Sequence, residues 1–172
     1  MNDAQTPDQE VVDFAGRVFG AARSGDTETL APLLEGGLPA DLRNEKGDTL
    51  LMLASYHGQI EAVRLLLHHG ADPGLANDRG QTPLAGAMFK GEGAIAELLI
   101  ASGADVNDGG PSGKTPAVIA AMFDRVELLA MLAGRGADLD ARGADGTSAL
   151  DAARMMGAAK AVAYLEGSSG RR

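Results

Sequence analysis

Gly47, Gly80, Gly113 and Gly146 follow one another at a fixed step of 33 residues. Two positions after each stand Thr49, Thr82, Thr115 and Ser148. Later in the same step come Gly70-Ala71-Asp72, Gly103-Ala104-Asp105 and Gly136-Ala137-Asp138. Ala54, Ala87, Ala120 and Ala153 keep the phase, as do Leu66, Leu99, Leu132 and Leu165. An upstream copy is degenerate but in register at Ala21, Gly25, Leu30, Leu33 and Gly37. A period of this length restricts the fold severely. One unit is too small to bury its own apolar face, so units must stack, and the core must run along the stack.

The residues inside one unit describe its shape. Each Thr49-type hydroxyl stands where a helix begins and can accept a bond from a free backbone N–H. Pro83 and Pro116 follow at the first helical position, where a missing N–H costs nothing. A short, Ala-rich helix comes next, and small side chains there let neighbouring copies approach closely. Gly58, Gly91 and Gly157 break the chain before a second helix, which carries apolar residues at helical spacing, as in Ile60, Val63, Leu66 and Leu67. Gly70, Gly103 and Gly136 suit left-handed caps at its end. Segments such as Asn77-Asp78-Arg79-Gly80 and Gly143-Ala144-Asp145-Gly146 read as tight turns between copies.

Gly80-Gln81-Thr82-Pro83-Leu84-Ala85-Gly86-Ala87, with Gly47-Asp48-Thr49-Leu50-Leu51-Met52-Leu53-Ala54 and Gly113-Lys114-Thr115-Pro116-Ala117, resembles the ankyrin repeat and its Thr-Pro-Leu-His-x-Ala signature. The resemblance spans about residues 11–167. It implies an all-α solenoid of stacked helix-turn-helix units joined by β-hairpin-like fingers. Five copies are expected: 11–43 as an N-terminal cap, then 44–76, 77–109, 110–142, and 143–167 as a C-terminal cap. The first has Phe14 where the finger glycine would fall, and Lys160 and Glu166 are expected to interrupt the last second helix. Residues 1–10 and 168–172 are expected to be disordered. Met52, Ala85, Val118 and Asp151 replace the signature histidine, which implies loss of the family's Thr–His pairing in every copy.

Composition narrows the chemistry. The 172 residues hold no Cys, so disulfides, thiolate zinc sites, iron–sulfur clusters and cysteine nucleophiles are excluded, and a reducing compartment fits. The net charge of −9 argues against binding a phosphate backbone. Residues 1–10 lack a cationic start and an apolar run, and no stretch approaches the roughly 20 apolar residues of a membrane span. A soluble cytoplasmic protein with no membrane contact is expected. Asp3, Asp8, Glu10 and Asp13 crowd the N-terminus, and Asp26, Glu28 and Glu35 follow. They fit a solvated acidic face better than a device for steering a basic partner.

Local motifs that suggest catalysis or ligands fail on inspection. Gly109-Gly110-Pro111-Ser112-Gly113-Lys114-Thr115 imitates a phosphate loop, but Asp108 stands where Gly is needed and no strand precedes it. Gly91-Glu92-Gly93-Ala94-Ile95-Ala96 fails as a dinucleotide fingerprint for the same reason. Asp138-Leu139-Asp140-Ala141-Arg142-Gly143 opens like a calcium loop, yet Arg142 holds a ligand position and Ala149 replaces the closing Glu. His57, His68 and His69 are the only histidines, and they read as structural or solvated. No metal, cofactor or catalytic residue is expected.

The resemblance implies partner binding by finger tips and by the outer part of the first helices, which together form a concave face. Carried over by the period, the finger positions are Glu45, Lys46 and Asp48; Asp78, Arg79 and Gln81; Ser112 and Lys114; and Asp145. The helix positions are Arg23; Tyr56 and His57; Phe89 and Lys90; Met122 and Phe123; and Met155 and Met156. Of the chain's 4 Phe and 2 Tyr, three fall in this set: Tyr56, Phe89 and Phe123. Exposed aromatics and Met contribute contact area at low entropic cost. The alternative is that Met122, Met155 and Phe89 fill gaps between copies.

The expected function is a non-catalytic protein–protein interaction module, an adaptor, inhibitor or accessory subunit of a stand-alone, bacterial type, acting as a monomer on an unidentified protein. The alternative is a structural homodimer through the concave face, which light scattering separates from a monomer. A nucleotide-binding enzyme, the third reading, requires thermal stabilisation by nucleotide, and none is expected.

Overall fold

A computed structural model describes residues 8–169 of the chain. Ten α-helices form five successive pairs among these residues: α1 (Gln9–Ser24) with α2 (Thr27–Glu35), α3 (Leu50–Tyr56) with α4 (Ile60–His68), α5 (Pro83–Lys90) with α6 (Gly93–Ala101), α7 (Pro116–Met122) with α8 (Val126–Gly134), and α9 (Ala149–Met156) with α10 (Ala159–Ser169). The first helices pack side by side in the order α1, α3, α5, α7, α9. The second helices back them, with α2 against α4, α4 against α6, and α8 against α10. The fold is therefore all-α and two-layered, with only isolated bridges Arg43–Thr49 and Arg142–Ser148 of extended type among the described residues.

The two layers need different sequences. An inner first helix is flanked on both sides and backed by its own partner, so it is buried nearly all round. Six consecutive residues of α3, Leu50 through Ser55, are buried, as are Pro83–Met88 of α5 and Pro116–Ala121 of α7. Second helices keep one solvent face and bury a stripe: Ala62, Val63 and Leu66, then Ile95, Ala96 and Leu99, then Leu128, Leu129 and Leu132. The 33-residue step thus survives as superposable packing positions in one continuous core.

Each first helix starts on its hydroxyl cap. Thr49, Thr82, Thr115 and Ser148 accept from the backbone N–H of Met52, Ala85, Val118 and Asp151 at 3.1–3.2 Å. No histidine stands at any of these positions, and in the last copy Asp151 makes a different reciprocal contact. Asp151 accepts from the Ser148 N–H at 3.2 Å and from its hydroxyl at 2.7 Å, closing a capping box. Those bonds hold the Asp151 carboxyl below the usual carboxylate range, with Arg142 adding to the effect. At the other end, Gly70 adopts φ 83°, which lets its N–H reach Leu67 O and the Ala71 N–H reach Leu66 O. This is a complete Schellman closure, repeated at Gly103 and Gly136.

The turn inside each pair shows how neighbouring copies fix one residue type. Gly25, Gly58, Gly91 and Gly157 all have positive φ there. A Cβ on Gly91 would lie 3.0 Å from the Arg125 guanidinium, and one on Gly58 3.0 Å from the Glu92 carboxylate. The fourth occurrence is Asp124, whose φ of 56° is the only positive value on a non-glycine residue among those described. Its neighbour from the next copy is the small Ala158 in place of Gln59, Glu92 or Arg125. The freed space holds the Asp124 carboxylate, which accepts from the Ala161 N–H at 2.7 Å. One copy thereby caps the second helix of the next, and a carboxylate there is also favoured by the helix dipole.

The fingers join into a ladder. Asn77 donates through Nδ2 to Asp48 Oδ1 at 2.8 Å, and Asn44 donates to Asp48 Oδ2 at 3.3 Å. Backbone bonds continue the line from Asp78 N to Lys46 O, from Ser112 N to Gly80 O, and from Ala144 N to Gly113 O, at 3.0–3.1 Å. In the third finger Gly110 replaces the Asn, and a 3-10 turn over Gly110–Ser112 forms instead.

Both chain ends differ from expectation. Helix α1 already includes Gln9 and Glu10, capped by Asp8, and its 16 residues occupy the place of a finger in the first copy. Helix α10 is continuous. Lys160 and Glu166 lie on its exposed side, where Glu166 accepts from Arg154 at 2.7 Å, so they do not interrupt it. Ser168 and Ser169 also belong to α10, while residues 1–7 and 170–172 of the expected disordered ends lie outside the described residues.

Two substitutions test this architecture by urea denaturation. Asp124→Ala removes the cap on α10 and leaves a Cβ at positive φ, so it should destabilise by about 1–2 kcal/mol, and Asp124→Gly should cost less. Asp48→Ala leaves the amides of Asn44 and Asn77 short of an acceptor in a site only 7% exposed, and should cost about 1–3 kcal/mol.

Candidate functional site

First helices end, and fingers turn outward, on the same side of the stack. Between them lies a groove of about 720 Å³. Its walls are the fingers, carrying Glu45, Lys46, Arg79, Gln81, Ser112 and Lys114. Its floor is the finger-side surface of α3, α5 and α7, with Met52, Ala85, Gly86 and Ile119. Tyr56, His57, Phe89, Met122 and Phe123 close the far side, and Arg23 extends it toward α1.

The three aromatics form one row. Tyr56 and Phe89 stack with ring centroids 6.0 Å apart and planes 11° from parallel. Phe89 meets Phe123 edge-to-face at 4.8 Å. His57 sits edge-on to Tyr56 at 5.4 Å, and Lys90 Nζ lies over the Tyr56 ring, 5.1 Å from its centroid. The rings hold each other in place while 37–41% of their surface stays open to solvent. Such mutual support fixes their orientations before anything binds, which lowers the entropic cost of binding.

One residue of the floor is a glycine, Gly86. It lies within α5, where glycine costs about 1 kcal/mol relative to alanine. A Cβ there would meet Met52 Sδ at 3.6 Å and Tyr56 Cδ2 at 3.7 Å, both ordinary contacts. The fold therefore has room for alanine at this point of the groove lining.

Thirteen of the eighteen residues expected from sequence line the groove: Arg23, Tyr56, His57, Phe89, Met122, Phe123, Glu45, Lys46, Asp48, Arg79, Gln81, Ser112 and Lys114. Five do not. Asp145 stands behind Lys114 as its ion-pair partner, and Met156 is exposed outside the groove. Lys90 reaches only the rim, through Tyr56. Asp78 turns toward the preceding finger, packing on Gly47 and donating its N–H to Lys46 O. Met155 lies outside the groove at 80% exposure, so it is neither a lining residue nor a filler between copies. Met122 is half-buried at the end of α7, and there both readings meet. Asp48 borders the groove, but both carboxylate oxygens are engaged by Asn44 and Asn77, so its role is to tie fingers together.

The floor residues Met52, Ala85, Gly86 and Ile119 escaped the sequence reading. Their signal was present in the lost signature histidine, replaced at Met52 and Ala85, and in a glycine within a helix at Gly86. Lys114 pairs with Asp145 at 3.7 Å. Asp145 in turn accepts from the Thr147 N–H at 2.9 Å, and that bond more than Lys114 holds its carboxyl below the usual range. No group of three or more His, Cys, Asp or Glu among the described residues is arranged to hold a metal ion, and no helix among them is long and apolar enough to cross a membrane.

Comparison with known proteins agrees with this geometry. A family model described as ankyrin repeats (3 copies) matches residues 18–110, more than half of the chain. An ankyrin repeat protein of Pseudomonas aeruginosa is 52% identical over 60 residues, which take in 34% of this chain and 35% of that protein. The aligned part thus spans about a third of the relative's length. Stacked helix pairs, hydroxyl-capped first helices, a ladder of fingers and the matching family model lead to one conclusion: the chain belongs to the ankyrin repeat family.

Proposed function

We propose that the groove between the fingers and the first helices is a protein-docking surface, and that the chain is a non-catalytic adaptor, inhibitor or accessory subunit. Ankyrin repeats are generally protein–protein interaction modules. The observation that carries the reading to this groove is the row of Tyr56, Phe89 and Phe123: preordered rings, open to solvent, over a floor that includes Gly86. Buried aromatic anchors surrounded by polar residues dominate binding energy at protein interfaces. The proposed occupant is a segment of another protein, bound by a monomer in the cytoplasm. The cysteine-free composition supports a reducing compartment.

Tyr56→Ala/Phe89→Ala/Phe123→Ala should leave the circular-dichroism melt close to that of the parent, because the rings cap the core rather than fill it. Affinity capture followed by mass spectrometry should then lose the proteins that the parent retains. Unchanged capture, or a parent that light scattering finds as a dimer dissociated by the triple substitution, would overturn the proposal. Gly86→Ala separates binding from folding in the opposite sense. It should stabilise the fold by about 0.4–1 kcal/mol while weakening capture, since the added methyl raises the groove floor.

A further inference from the structure

We infer that the groove takes an acidic peptide segment carrying an apolar or aromatic anchor; the inference rests on the docking reading above and gives its partner a chemical class. The chain as a whole has a net charge of −9, yet the groove is lined by Arg23, Lys46, Arg79 and Lys114, with Lys90 on its rim. Three of the four lysines of the sequence therefore stand at this one site. Opposing them are Glu45 and Asp48, and Asp48 is already engaged by two side-chain amides.

The ion pairs of the molecule sharpen the contrast. Among the described residues they join Arg64 to Glu61, Lys114 to Asp145, Arg142 to Asp151 and Arg154 to Glu166. Of the four cations that line the groove, only Lys114 is paired. Arg23, Lys46 and Arg79 face the groove with no carboxylate partner in any of these pairs. An acidic surface elsewhere with an uncompensated basic groove is the pattern of electrostatic complementarity to a short acidic ligand. The anchor follows from the aromatic row.

A single-stranded nucleic acid is the competing polyanion, since stacked rings beside cations also suit bases and phosphates. The acidic peptide is favoured because a long phosphate chain must pass beyond the groove onto a surface of net negative charge, whereas a few carboxylates need not.

The test is selection of a phage-displayed random dodecapeptide library on the full-length protein, with an oligodeoxythymidine probe in parallel. The enriched peptides should carry more Asp and Glu than the starting library, together with an aromatic, Leu or Met residue. Synthetic copies should bind Lys46→Glu/Arg79→Glu about tenfold or more weakly, Lys46→Gln/Arg79→Gln to an intermediate degree, and all forms less tightly as salt is raised. Melting curves of the double-glutamine and double-glutamate forms should match the parent, since neither the Lys46 nor the Arg79 side chain makes a bond within the fold that these changes would remove. Neutral or basic enriched peptides that still need Tyr56, Phe89 and Phe123 would overturn the inference and leave the docking groove standing. Peptides that bind the triple alanine form unchanged would remove the docking reading itself. No enrichment over a blank surface, or oligonucleotide binding as tight as that of the peptides, would also overturn the inference.

Discussion

Burial of one copy against the next is the constraint on which everything else in this molecule depends. A helix pair of this size has an apolar face on each side and no way to cover both by itself. Stacking solves the problem for the inner pairs, and the solution leaves its mark on each inner first helix, which is buried over six consecutive residues from Leu50, Pro83 or Pro116. Positions squeezed from both sides admit only small side chains. That is why Ala occupies Ala54, Ala87, Ala120 and Ala153, all fully buried, while Tyr56, Phe89 and Phe123 stand at or next to the ends of their helices.

The groove follows from the same stacking. Fingers leave the helix layer at a fixed point in each copy, so their tips and the ends of the first helices face one another along the stack. Tyr56, Phe89 and Phe123 stand where the first helices leave the core, and Tyr56 is supported by Phe89 as Phe89 is by Phe123. Gly86 and Asp48 show opposite local priorities. Gly86 gives up helix propensity where the fold could accept alanine, while Asp48 borders the groove but is committed to holding two fingers together.

The sequence made the repeat, the hydroxyl caps, the glycine stops and the membership of most of the groove legible, because each depends on residues at fixed offsets along the chain. It was less informative where a contact depends on the neighbour's side chain. Met155 shares the periodic position of Tyr56 and Phe89 yet stands clear of the groove, since among the described residues no further finger and first helix pack against α9 to form the opposite wall. Phe123 is one position out of step with Phe89, and its ring still reaches Phe89 from the end of α7. Asp151 stands where the family signature has histidine, and its carboxylate closes a capping box with Ser148 that the missing Thr–His pairing did not foretell.

The sequence by itself determined that this chain would be a line of helix pairs, and roughly where each begins and ends, because caps, turns and helical stripes are local and the period copies them. Only the tertiary structure decided what the copies do to each other: which turn residue accepts positive φ, which carboxylate caps a neighbour's helix, and which rings and cations meet across the groove. Those outcomes depend on distances between residues more than thirty positions apart, set by how closely two helix pairs can pack, and no spacing along the chain contains that information.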